Sequence, residues 1–421
     1  MQRSHLRHRA ERLGLIIGIV LALAVVAVVI NLVLESDQGP LEPTPQPTLM
    51  PTQEPTQVAT PSTPGPTFEA EPEPAPGSLL DMMGYAPDRL ADDSLPLSDI
   101  ARYADIERWM ELQGVEIPSD PDDPGWDLWQ SQLPALALPE VLATRGTDGI
   151  WIDTYGFGLH NVNQVLAVGS APDYVIVMRG DFDAAALNAT WAENGYQAVR
   201  VDNVTYWSLY PGDSVDLSAP ASRPALGNMN NLVLLEDGTL IATSRSGRME
   251  QTIRTISGEN PALADNPEIS SLLTTGAAPE NLLTAVMLKG NVLEEVSVGP
   301  SALTTATPSA DLPQASMMLA GLQYSPDSAG RTDMVIVTVY DSAEGAVQAE
   351  ERVHQQFAAG VSDVTGEPYA ARVTPIAMRT IASQDGAHLL LIQLAPMNGY
   401  ADWLQILEER DFGYIMWPRL P

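Results

Sequence analysis

The sequence predicts an α+β protein in three parts. A single N-terminal transmembrane helix leads into a disordered, proline- and threonine-rich stalk. An extracytoplasmic body follows, with two strand–helix–hairpin–helix units, as a duplication would give. Three observations predict it. Residues Leu13 to Leu34 hold no charge and no proline. From Glu35 to Gly77 proline recurs every two to four residues through most of the stretch. Beyond that, Val/Ile-rich runs with a two-residue period are followed by runs with a helical period, and this order occurs twice.

The opening tail, residues 1–12, carries Arg3, Arg7, Arg9 and Arg12 against Glu11. The apolar run of residues 13–34 matches a bilayer's hydrocarbon core, about 30 Å, at about 1.5 Å per helical residue. Glu35 and Asp37 follow it, so the positive-inside bias places the N-terminus in the cytoplasm and the body outside. The competing reading is a signal peptide cleaved after Ala22-Leu23-Ala24, but the apolar run continues ten residues beyond Ala24. The expectation is therefore an uncleaved signal-anchor whose partner is the lipid bilayer. Gly14, Gly18 and Ala22 recur at four-residue spacing and would let two such helices approach in a weak homodimer.

Residues 35–77 contain too few apolar side chains for a core. They predict an extended, polyproline-like linker at ~3.1 Å per residue, on the order of 100 Å in all. Residues 78–169 read as a mostly helical cap, because SLLDMMGYAPDRL and LSDIARYADIERWMELQGV space their apolar residues helically. Residues 170–290 form the first expected unit: strand DYVIVMRG, helix FDAAALNATWAENG, strands around Asp202-Asn203, a hairpin at Asp237-Gly238 and the helix SGRMEQTIRTISG. Residues 291–421 form the second, with DMVIVTVY, SAEGAVQAEERVHQQFAAG, a hairpin at Asp385-Gly386 and GYADWLQILEER. The shared anchors are VIV at 175 and 335 and DG at 237 and 385.

Composition excludes several classes of function. The net charge is −33; residues 1–34 contribute +3, so the remainder carries −36. A surface this acidic repels nucleic acid and anionic headgroups. With zero cysteines there is no disulfide, thiol nucleophile, iron–sulfur cluster, Cys-based zinc site or lipobox. No cofactor is expected.

The run VGSAPDYVIVMRGDFDAAALNATWAENGYQAVRVDNVTYWSL precedes NLVLLEDGTLIATSRSGRMEQTIRTI and ALADNPEISSLL. Over about residues 165–275 this order of GDFD, GY and an ADNP-like segment resembles a group of uncharacterised, membrane-anchored bacterial cell-envelope proteins. The resemblance implies an envelope location and a fold type, and it carries no catalytic residues.

Candidate sites are sparse. Asp120, Asp122, Asp123 and Asp127 crowd oxygen ligands as calcium requires. Pro124 and Ser131 fall where a calcium loop wants an oxygen ligand and a glutamate, so a solvated acidic loop is preferred. Trp126 and Trp129, in or beside that loop, are the tryptophans least like core residues and would stack on a sugar ring. His160, His354 and His388 are far apart in sequence, and Lys289 alone would complete a serine–lysine dyad. Arg179-Gly180-Asp181 spells an integrin-type tripeptide but reads as a strand end, a turn and a helix cap. Asn188-Ala-Thr and Asn203-Val-Thr match glycosylation sequons. The function expected is a non-catalytic binding or interaction module of the cell envelope, whose partner is an envelope protein or glycan. The alternative is an envelope hydrolase whose site assembles only in the fold.

Overall fold

The computed structural model describes residues 77–88, 100–170, 173–210, 219–274, 281–289, 315–325, 331–359, 367–383, 385–396 and Trp403. The transmembrane helix expected at 13–34, with Gly14, Gly18 and Ala22, lies outside the described residues, as does the stalk before Gly77. Among the described residues no helix is long and apolar enough to cross a membrane.

The body is organised by one twelve-stranded sheet. Its strands are β1 (Ile100–Asp105), β2 (Val162–Ser170), β3 (Asp173–Gly180), β4 (Gln197–Val201), β5 (Val204–Ser208), β6 (Asn231–Leu234), β7 (Leu240–Thr243), β8 (Leu282–Lys289), β9 (Ala315–Ser325), β10 (Arg331–Tyr340), β11 (Val373–Ala382) and β12 (His388–Pro396). They lie in the order β11-β12-β10-β9-β8-β1-β2-β3-β7-β6-β5-β4, and every pairing is antiparallel.

This overturns the expected α+β architecture of two strand–helix–hairpin–helix units. β8 pairs with β1 on one side and β9 on the other, so a single unbroken ladder crosses the proposed boundary. Periodicity marks which residues form a strand and says nothing about which strand it will meet. The stretch around Ile100 also misled, because IARYAD satisfies helical and strand spacing alike. As a central strand it buries Ala101 and Tyr103 on one face and Ala104 on the other.

Helices cover both faces. In chain order they are α1 (Leu79–Met83), α2 (Ile106–Gln113), α3 (Trp126–Gln130), α4 (Glu140–Arg145), α5 (Gly149–Tyr155), α6 (Ala184–Glu193), α7 (Ser246–Ile256), α8 (Pro267–Thr274) and α9 (Ala343–Ala359). Strand alternation sorts the core into two layers. Tyr174, Ile176 and Met178 of β3 join the core with residues of α2, α3, α5, α6 and α9, while Val175 and Val177 face α1, α7 and α8. Sheets buried on both sides read as continuous apolar runs, as LLTAVMLK of β8 does. Each fully buried Val, Leu or Ile there contributes about 1.5–3 kcal/mol.

The Asp-Gly turns are longer than two residues. Gly238 N–H closes on the Leu235 carbonyl and Gly386 N–H on the Ser383 carbonyl, with φ of 84° and 85° at the two glycines. The edge strands are guarded: β11 carries Pro375 beside a bulge, and β4 is mostly solvent-facing.

Candidate functional site

Residues 106–155 build a helical layer over one face of the sheet. Asp105 ends β1 and caps α2 by accepting the Arg108 N–H at 3.0 Å, and Gly114 ends that helix in the left-handed region. The aspartate-rich loop then folds on itself. Asp122 N–H donates to Asp120 Oδ1 at 2.9 Å and Gly125 N–H to Asp123 Oδ1 at 2.7 Å, delivering the chain into α3. Asp120, Asp122 and Asp127 are exposed. Among the described residues no three acidic or histidine side chains gather as a metal ion requires, and two of these four carboxylates are engaged by their own turn.

The same turn places an aromatic cluster. The rings of Trp126 and Trp129 are 5.0 Å apart, and His160 stands edge-on to Trp126 at 5.5 Å. Trp129 is 0% exposed, which corrects its candidacy as a glycan contact: its indole is core. Trp126 keeps an accessible part. His160 packs over Gly158, where a Cβ would lie 2.7 Å from the imidazole. Burial lowers the His160 pKa, while the Asp120 charge pulls it the other way. Two aliphatic side chains of this layer remain in water, Leu128 at 57% and Ile150 at 71% exposure. Between Ile106 and Tyr155 ten acidic side chains face two arginines, a net of −8.

On the opposite face a polar row crosses three strands. Asp105 pairs with Gln164 and Gln164 with Arg179 in the register of β1, β2 and β3. Gln164 Nε2 donates to Asp105 Oδ2 at 2.9 Å. Arg179 forms an ion pair with Asp81 at 2.7 Å and donates to the Tyr85 hydroxyl at 3.1 Å. That hydroxyl donates to Asp237 Oδ2 at 2.6 Å. Burial raises the Asp105 carboxyl, partly offset by the Arg108 N–H and Gln164. Burial also raises Tyr85, with its bond to Asp237 adding to the effect. At Asp237 burial acts upward, but the hydrogen bonds from Tyr85 and the Thr239 N–H win and the pKa is lowered. Burial lowers Arg179, yet Tyr85 and Asp81 outweigh it and hold the cation.

The remaining candidates are dispersed. His354 lies exposed on α9, and His388 begins β12. β12 stands five strand positions from β2, which His160 precedes, a separation of about 24 Å. Lys289 ends β8. The Arg179-Gly180-Asp181 tripeptide is built in, because Gly180 passes so close to the Asn161 carbonyl that no Cβ fits. Asp183, and not Asp181, caps α6, accepting from the Ala185 and Ala186 N–H groups at 2.9 and 3.1 Å. Asn188 accepts from Trp207 Nε1 at 2.8 Å, while Asn203 is exposed in the β4–β5 turn beside Asp202, whose φ is 52°.

The Arg179 hub was missed from sequence although a signal existed. Arg179 shares strand parity with Val175 and Val177, so alternation aims a cation at an apolar face, where it must find partners. Their identity, Asp81 and Tyr85, is set by tertiary contact almost a hundred residues away. No family model, no curated protein and no solved structure matches the chain.

Proposed function

We propose that the chain is a membrane-tethered, non-catalytic protein of the cell envelope whose body binds a partner through the helical layer of residues 106–155. The observation that carries this reading is the pairing of exposed apolar side chains, Leu128 and Ile150, with a strongly acidic setting and the accessible part of Trp126. Apolar groups left in water within a charged layer are what a partner covers, and the acidic surround favours a basic one.

The hydrolase reading needs a histidine among converging carboxylates. The spread of His160, His354 and His388 over three elements weighs against it. Tethering rests on the apolar run 13–34 and its basic flank, with the N-terminus cytoplasmic and the body outside.

The test uses the full chain in detergent as bait in native envelope extract, beside the Leu128→Ser/Ile150→Ser variant. The expected outcome is a retained partner that the variant loses while its melting temperature stays within about 1 °C, since both sites are exposed. Turnover of an envelope substrate, abolished by one polar substitution, would overturn the reading.

A further inference from the structure

The first described segment, residues 77–88, is fastened to the sheet far more elaborately than a chain entry requires. Gly77 donates to Asp81 Oδ2 at 2.7 Å and accepts from the Tyr103 hydroxyl at 3.2 Å, with its Cα against the Gln164 side chain. Ser78 caps α1, which buries Leu79, Met82 and Met83. Beyond α1, Tyr85 reaches Asp237. The Ala86 carbonyl accepts from Leu263 N–H at 2.8 Å, and Asp88 N–H donates to the Pro261 carbonyl at 3.1 Å. Asn266 Nδ2 donates to Asp88 Oδ1 at 3.0 Å.

These attachments reach β1, β2, β3, the β6–β7 turn and the loop at 261–266, yet they add no strand to the sheet. β1 is already paired on both sides, by β2 and β8, and β2 by β1 and β3. The ladder underneath is therefore complete without the segment. A five-residue helix also has no stability of its own, so α1 exists only while seated. Arg179 grips the segment at two points, Asp81 and the Tyr85 hydroxyl, and its guanidinium also lies over the Tyr85 ring at 5.6 Å.

We propose that residues 77–88 form a releasable strap, which detaches from the folded sheet as one unit and is fastened by Arg179. Proteins open in contiguous units, and a segment that lies outside the strand ladder opens without breaking a strand pairing. Release would lengthen the connection to the N-terminal region by up to about 40 Å of extended chain. That consequence for reach rests on the tethered reading; detachment itself does not, and the experiment below is blind to the membrane.

Hydrogen exchange read by mass spectrometry on the full chain in detergent tests it, comparing the wild type with Arg179→Met. Amides of the strap, Met82, Tyr85 and Asp88 among them, should exchange about tenfold or more faster in the variant, while those of β2 and β3 stay within about twofold. Unchanged strap exchange, or strap and β2–β3 accelerating together by one factor, overturns the proposal. Should Arg179→Met fail to fold, Tyr85→Phe removes only the hydroxyl between Arg179 and Asp237 and is read in the same peptides. In the wild type, strap amides should exchange with a denaturant dependence well below that of the sheet, set by the surface that releasing Leu79, Met82 and Met83 uncovers. A dependence equal to that of the sheet would likewise overturn it.

Discussion

The indole Nε1 of Trp403 donates to the Ala135 carbonyl at 2.7 Å, joining positions 268 residues apart. Trp403 is fully buried and packs in the same core as Trp129, Leu136 and Leu142. A C-terminal residue thereby helps to hold the helical layer that carries Leu128 and Ile150.

Replacing Trp403 separates packing from hydrogen bonding. Trp403→Ala removes a large buried ring and leaves the Ala135 carbonyl without its donor, at a cost of about 3–5 kcal/mol. Trp403→Phe keeps much of the volume and loses mainly the hydrogen bond, nearer 1–2 kcal/mol. Chemical denaturation of the two variants checks the ratio. Equal losses would mean that the indole N–H, and not the ring, is what the site requires.

Gly180 is the second test, since it lies where β3 crosses the end of the 159–161 turn. With no room for a Cβ against the Asn161 carbonyl, Gly180→Ala must push the two backbone segments apart. The Arg179 end of β3 and the Asp181 N–H bond to Asn161 would shift with it. A loss of about 2–4 kcal/mol is expected, as for other strained core substitutions. Gly195→Ala, where a Cβ meets nothing within 4 Å and φ is +90°, isolates the conformational cost alone, about 1–2 kcal/mol.

Local chemistry was legible and partnership was not. The strand at Val175-Ile176-Val177, the helix after Asp183 and the turns at Gly238 and Gly386 follow from residue types within a few positions. The joining of β1 to β8 brings Tyr103 opposite Ala285, and no local pattern encodes that register. β1 itself was hidden because IARYAD fits a helical period as well as a strand's. Of the candidate site, Trp126 was legible from its polar loop, but its neighbour His160 arrives from a turn 34 positions later. Trp129 was misread because a polar loop leads into α3, and one helical turn suffices to carry a side chain from solvent to core.

His160 supplies a pH test. Its folded pKa lies below the ordinary histidine value of 6.5 because burial disfavours the imidazolium, with Asp120 opposing only in part. The unfolded chain therefore takes up a proton as pH falls through about 6.5, while the folded protein takes it up only at lower pH. Between those two values the unfolded state holds more protons, so stability rises with pH and is lost on acidification. Above about 6.5 both states are neutral at this site and the slope vanishes. His160→Gln removes the titration while keeping a planar polar group against Trp126. The melting temperature of the wild type should fall faster than that of the variant as pH drops from about 6.5 toward 5. Parallel curves over that window would show that His160 is as free to protonate in the fold as in the unfolded chain, and that its contact with Trp126 does not shield it.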